Sequence, residues 1–439
     1  MDRGSPVVRE RVEKLTRKEK IRLVHGAADP EGISTGYVPG VERLGIPEYR
    51  LSDGPLGVRV LGEPATAFPA PIALAATFDT ELARRKGVTL GREAKGLEQD
   101  AILGPGVNLI RVPHCGRNFE YYSEDPVVTA SFARAAVEGI QSEDVVATPK
   151  HYVANNQESN RASVSARVSD RALRECYLPG FEAAVDAGAG SVMTAYNRVN
   201  GVHMSDHRTL LTDVLKEEWG FDGYTVSDWY GVTSTVGAAN AGLDLEMPGI
   251  TREAMWSAWG LEENVEGVFG ESEEIEGGMP DPSNTRRFAE ALAEAVDAGD
   301  VPESRLNDMV SRILGRMEAI GLFDESRDDG QVGGPEHREL ARTIAARGTV
   351  LLENDGALPL ADDVDVAVVG PGIRDAKLGG GGSSEMEALD PVSTVDGVRE
   401  RATGEVRAAR GVPEIEQFSF FGGLQGEDSS GPDPVDTDA

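Results

Sequence analysis

Asp228 ends the apolar run Tyr224–Ser227 and stands directly before an aromatic residue, Trp229. A carboxylate so placed can stabilise or capture an electron-poor, oxocarbenium-like carbon. To act as a nucleophile it must stay ionised. Cations such as Lys150, Arg117 and Arg161 are expected to hold its pKa down. Other apolar runs end in equally capable residues: Gly106–Ile110 before Arg111, Val145–Thr148 just before Lys150 and His151, and Ser191–Ala195 before Tyr196 and Asn197. Asp, Lys, His and Arg together supply the donors and acceptors that a ring of hydroxyl groups requires. Trp229 adds an apolar face for a pyranose. The chemistry that these residue types suit is cleavage of a glycosidic bond.

Residues this far apart meet only if the fold brings strand ends to one face. Between about Leu51 and Met247, short apolar runs alternate with helical patterns, and Leu243–Met247 is the last such run. Asp79–Gln99 is one helical pattern, opened by Asp79 or Thr80 as N-cap; Ser169–Ala187 and Ser205–Trp219 are others. Strands alternating with helices predict βα units and a parallel sheet. Six or more such units in roughly 250 residues fit an α/β fold of the TIM-type (β/α)8 barrel, whose active face lies at the C-terminal strand ends.

The barrel is expected over residues 1–325. Its last part, the helix-rich Asn284–Gly321, follows a Gly- and Glu-rich loop, Gly260–Ser283. The polar stretch Phe323–His337 reads as containing an interdomain linker, placed at 326–336. A second α/β unit is expected over 337–410. It would hold a helix (Glu336–Gly348), a strand (Thr349–Glu353), a turn (Asn354-Asp355-Gly356), a buried strand (Val364–Val369) and the loop Gly379–Ser384. A parallel sheet needs cover on both faces, so this unit reads as the start of an α/β sandwich and as incomplete. The acidic tail, 411–439, reads as disordered.

Five segments carry the chemistry: LSDGPLGVR from Leu51, NLIRVPHCGRNFEYYSEDP from Asn108, TPKHYVANNQESNR from Thr148, SVMTAYNRVNG from Ser191 and GYTVSDWYG from Gly223. In this order they resemble family 3 glycoside hydrolases of the β-glucosidase and β-xylosidase branch. The resemblance implies a retaining, exo-acting β-glycosidase that releases terminal β-D-glucosyl residues, with Asp228 as covalent nucleophile. It implies sugar contacts from Asp53, Arg59, Arg117, Lys150, His151, Arg161, Met193, Tyr196, Trp229 and, in the second unit, Ser383. Plainer uses stay open for each: Asp53 and Asp228 as caps, the arginines as ion-pair partners, His151, Met193, Tyr196 and Trp229 as core, and Ser383 as a loop residue only.

The family also contains single-domain members with a histidine-bearing loop after the Lys-His pair; here that stretch is YVANNQESNR and carries none. In the two-domain branch the general acid/base is a Glu on a loop well past the Gly-rich loop, and no segment here resembles it. Glu385 and Glu387 lie close to Ser383, but the resemblance does not support either as the acid. The alternatives to an enzyme active by itself are therefore one half of a split enzyme, a shortened product, or a fragment that binds carbohydrate without hydrolysing it.

The bulk properties exclude several other classes. The 439 residues carry 75 Asp and Glu against 43 Lys and Arg, a formal net charge of -32. Such a field repels nucleic acid and anionic membrane, and suits a solvated surface at high salt. Cys115 and Cys176 form no CxxC pair, and no HExxH or His/Cys cluster suggests a metal. The spacing from Cys115 to Arg117 is too short for a phosphatase loop, and GGGGSS lacks the lysine of a phosphate-binding loop. No cofactor is expected. The expected partners are a small β-glycoside and, if the second unit needs completing, a second polypeptide. A charged N-terminus and the lack of any membrane-length apolar run lead to a cytoplasmic expectation.

Overall fold

The computed structural model describes residues 4–258, 283, 285–324, 327–374 and 378–411. The tail from residue 412 and all of the Gly260–Ser283 loop except Ser283 lie outside the described residues.

Short strands close into a ring. Tyr49–Asp53, Ala101–Leu103 and Val146–Ala147 pair in parallel, in that order. The ring passes on through the Tyr152↔Thr194 bridge to Ser191–Met193, which pairs in parallel with Tyr224–Val226. Bridges Val226↔Leu245 and His25↔Glu246 carry it further. It closes where the Ala27 amide donates to Tyr37 O at 2.8 Å, since Gly36–Val38 pairs with Tyr49–Asp53. That last pairing is antiparallel, so one strand departs from the uniform βα repeat. Its N-terminal end therefore faces the rim that carries the C-terminal ends of its neighbours.

The helices outside this ring begin where the sequence says they should. Asp79 caps Thr80–Gly96 by accepting from the Glu81 amide. Asp125 caps Pro126–Gln141, whose first residue is a proline that has no amide to satisfy. These two helices cross in direct contact at a glycine pair. A Cβ on Gly139 would sit 2.1 Å from Arg84 O, and one on Gly87 would sit 2.5 Å from Ala136 O. The predicted helix Ser169–Ala187 is helical but changes pitch at Leu173–Tyr177, just before Pro179. Pro179 has no N–H, so the Leu178 amide bonds five residues back, to Leu173 O at 2.9 Å.

Several expectations are corrected. The strand expected at Gly106–Ile110 is Ala101–Leu103 instead; Gly106 makes only a bridge to Lys150. Arg111 is consequently exposed and away from the site. Leu243–Met247 joins the ring by single bridges and not by a ladder. In the second unit the strand Val366–Val369 pairs in parallel with Val406–Ala409 through the helix Thr394–Arg401, forming one βαβ unit. It is not buried: Val369 is 64% exposed. The expected strand Thr349–Glu353 has no ladder at all, and Leu352 is 91% exposed. Both follow from one cause, a two-stranded sheet with cover for only part of its surface.

The stretch between the units is not a free tether. The Gln331 amide donates to Arg92 O at 3.0 Å and the Gly333 amide donates to Glu93 at 2.9 Å. The helix Pro335–Gly348 then packs against the barrel helices Pro71–Ala75 and Thr80–Gly96. No described helix is long and apolar enough to cross a membrane.

Candidate active site

Asp53, Arg59, Arg117, Lys150, His151, Arg161, Met193, Tyr196, Asp228, Trp229 and Ser383 all line one cavity of about 510 Å³. Asp53 and Met193 end their strands, while Lys150 and Asp228 follow theirs within a few residues. The barrel thus delivers them to its C-terminal rim, as strand-end placement requires. Ser383 comes from the second unit, on the loop through Gly380–Ser384 that forms one wall.

Asp228 is buried and unequally used. Its Oδ1 accepts the Tyr196 hydroxyl at 2.7 Å and the Trp229 amide at 2.8 Å. Its Oδ2 has no hydrogen-bond partner among the described residues. Tyr196 stays protonated as a donor, because burial, followed by the nearby Asp228 charge, pushes its pKa up. The cations expected to hold Asp228 down do so only in part. Burial is the largest influence and raises its pKa; Arg161, Arg117 and the two hydrogen bonds oppose it, and the net direction is up. The Lys150 ammonium turns to Asp53 Oδ1, at 3.3 Å.

Asp53 is held between two cations. Arg59 donates to Oδ2, and the Arg59 guanidinium also reaches Thr35 at 3.2 Å. Arg117 pairs with the fully buried Glu120. Burial works against the Arg117 charge, but Glu120, Tyr121, Glu158 and Asp228 outweigh it and raise its pKa. Arg161 donates to Glu158 at 2.7 Å and lies over the Tyr196 ring, 4.6 Å from its centre.

His151 can be assigned a tautomer. Asn108 Nδ2 donates to His151 O at 2.9 Å, so Asn108 Oδ1 is the acceptor that receives the His151 amide at 2.7 Å. The same oxygen lies 3.2 Å from His151 Nδ1, nearer than the Tyr121 hydroxyl at 3.4 Å, so the proton is assigned to Nδ1. Burial, then the charges of Arg117, Lys150 and Arg161, push the imidazole pKa well down, so the ring is neutral. Its Nε2 presents a lone pair to the cavity, 3.7 Å from Asp228 Oδ2. Two acceptors at that separation do not bond to each other, which leaves Oδ2 unengaged.

Buried polar atoms are nearly always paired, and those that are not call for an explanation. Asp228 Oδ2, Trp229 Nε1 and Arg117 Nη2 are all unpaired among the described residues, and their three residues line the same cavity. They form an acceptor and two donors suited to a polyhydroxylated ligand.

Sequence reasoning missed Thr35, Phe119, Glu158, Tyr230 and Met255, which also line the cavity. Glu158 was readable in principle, as an acid between the cations of the Thr148–Arg161 segment. Phe119 and Met255 carry no such signal. Phe119 meets the second unit closely: a Cβ on Gly380 would fall 2.1 Å from its ring, so any larger residue there would have to displace that ring. Among the described residues, no group of three or more His, Cys, Asp or Glu side chains could hold a metal ion.

Comparison with known proteins agrees with this geometry. Residues 38–267 match the glycosyl hydrolase family 3 N terminal domain. The chain is 41% identical over 398 residues to a beta-glucosidase of Rhizobium radiobacter, covering 88% of this chain and 44% of that protein. It is 37% identical over 426 residues to a probable beta-glucosidase I of Neosartorya fischeri, covering 95% and 46%. The chain thus spans about half the length of the curated relatives it matches. The structure of DesR, a beta-glucosidase from Streptomyces venezuelae in complex with D-glucose, superposes with a TM-score of 0.83 at 40% identity, covering 94% of this chain and 51% of that one. Beta-glucosidase 3B from Thermotoga neapolitana in complex with glucose gives 0.79 at 36%, covering 91% and 55%. With the family match across half of its residues and the strand-end motifs gathered in one pocket, the chain belongs to glycosyl hydrolase family 3.

Proposed function

We propose that this chain carries the nucleophile and sugar-binding part of a retaining, exo-acting β-glucosidase that hydrolyses terminal non-reducing β-D-glucosyl residues. The observation that carries this is the unpaired, buried Oδ2 of Asp228, set among sugar-suited donors and acceptors. In the first step Oδ2 attacks the anomeric carbon, and the bond to the leaving oxygen breaks with its electron pair. A covalent glycosyl-enzyme results, and water then displaces the carboxylate. Asp53, His151 Nε2, Arg117 and Trp229 bind the ring, and neutral His151 accepts a hydrogen bond from a hydroxyl without competing for the nucleophile.

The leaving oxygen needs a proton donor. The other cavity carboxylates, Asp53 and Glu158, are each taken up by guanidinium groups, and Glu385 and Glu387 do not line the cavity. In this reading the acid, and the missing cover of the second unit, come from polypeptide outside the described residues. The apolar side chains left exposed there, Leu352 and Val369 among them, support that arrangement.

The test separates nucleophile from acid. A dinitrophenyl 2-deoxy-2-fluoro-β-glucoside needs no protonation of its leaving group. Incubation in high salt should add one fluoroglucosyl unit to the intact mass, and Asp228→Ala should abolish the gain. No adduct on a folded sample, with the xylose analogue also silent, would overturn the proposal.

A further inference from the structure

The second unit puts a wall on the sugar cavity, and something must hold that wall in register. The loop Gly380–Ser384 is followed by Ala388, which bridges to Ala65 of the barrel; the Ala65 amide donates to Glu387 O and the Leu389 amide to Ala65 O, each at 3.0 Å. Residue 66, next in the chain, is bolted down. The Thr66 amide donates to Glu93 Oε2 at 3.0 Å and its hydroxyl to Oε1 at 2.6 Å. The same carboxylate receives the Gly333 amide at 2.9 Å and His337 Nδ1 at 2.8 Å. Gly333 in turn has the Leu389 side chain against it.

Glu93 is fully buried on the barrel helix Thr80–Gly96, and it lines no part of the sugar cavity. Four hydrogen bonds reach its two oxygens, three on Oε1 and one on Oε2. They come from two stretches that flank the 388–389 contact: the barrel loop at Thr66 and the start of the second unit at Gly333 and His337. Burial alone would raise the carboxyl pKa, but these bonds prevail and lower it, so the group stays charged and its bonds stay strong.

We propose that Glu93 is a positioning residue that docks the second unit's glycine loop, and with it Ser383, onto the sugar cavity. It touches neither substrate nor the reacting atoms. It acts through Thr66, Gly333 and His337, which set the seat for Ala388 and Leu389 and so the approach of Gly380 to Phe119. That Ser383 contacts a sugar rests on the proposed function; the docking itself does not.

Hydrogen exchange read by mass spectrometry decides it on the full chain. Glu93→Gln keeps the shape but faces an amide donor toward groups that donate. Exchange across 378–389 should quicken by at least about tenfold, the scale of losing one or two charge-assisted bonds. Segments 191–196 and 224–230 should stay at wild-type rates. Unchanged exchange at 378–389, or equal loosening of all three segments, overturns the proposal. If Glu93→Gln does not fold, Thr66→Val and His337→Gln each remove one limb, and wild-type exchange at 378–389 in both overturns it as well. A second readout is glucose affinity. Ser383→Ala should weaken binding in the wild type and add nothing in Glu93→Gln, whereas equal losses in both backgrounds refute action through the loop. A wild-type chain that binds no glucose would count against the proposed function and leave the exchange result to decide the docking.

Discussion

Replacing Tyr196 by Phe tests how Asp228 is kept ionised. The Tyr196 hydroxyl donates to Asp228 Oδ1 at 2.7 Å inside a buried site, and burial already raises the carboxyl pKa. The hydrogen bond favours the charged form, so losing it must raise that pKa further. Bonds to charged groups contribute about 1.5–3 kcal/mol, which corresponds to roughly 10- to 150-fold in the ionised fraction wherever the acid form dominates. The Trp229 amide still holds Oδ1 at 2.8 Å, so the carboxylate keeps its orientation. The assay is the rate of adduct formation from the dinitrophenyl fluoroglucoside against pH. Tyr196→Phe should lose rate at acid pH by that factor and approach the wild type at alkaline pH, where both carboxyls are ionised. An acid limb that stays in place, or moves to lower pH, would show that the hydroxyl does not control the nucleophile.

Lys86 is fully buried, donates to Pro55 O at 2.6 Å and is pushed by burial alone to a pKa of about 7. The unfolded chain then binds more protons between that value and about 10.4, so stability rises with pH across this window, by as much as about 5 kcal/mol. Lys86→Met should erase the rise, as denaturant titrations at both ends of the window would show. Gly139→Ala places a methyl group 2.1 Å from Arg84 O at the helix crossing and should cost at least about 1–3 kcal/mol, read as a lower Tm. With a net charge of -32, the chain should gain Tm from low to molar KCl as screening relieves self-repulsion; a flat or falling Tm would count against a salt-adapted surface. Asn108→Ala frees His151 Nδ1 from the acceptor that fixes its tautomer. The adduct rate should fall across the whole pH range, and a normal rate would refute the tautomer assignment.

The sequence by itself determined which residues would meet. Polar residues at the ends of apolar runs converge in a barrel because every parallel strand points its C-terminus at the same rim, whatever the details of pairing. Strand-end position named Lys150, His151, Tyr196, Asp228 and Trp229 in this way, and Arg111 wrongly; Asp53, Arg59, Arg117, Arg161, Met193 and Ser383 were implied by the resemblance to family 3. Caps such as Asp79 were equally legible, since they depend on neighbours within one turn. Tertiary structure decided whatever depends on a balance or a partner from elsewhere. Ala101–Leu103 and Gly106–Ile110 are both short apolar runs, and only ring closure chose the first as a strand. Thr349–Glu353 has the composition of a strand, but a strand exists only where another supplies its hydrogen bonds. The direction of the Asp228 shift turned on burial against cations, while the Lys150 ammonium went to Asp53. Likewise, nothing local to Glu93 shows that its carboxylate is bonded by residues up to 244 positions away. Electrostatic and packing terms fall off with distance in space, and separation along the chain sets that distance only within an element.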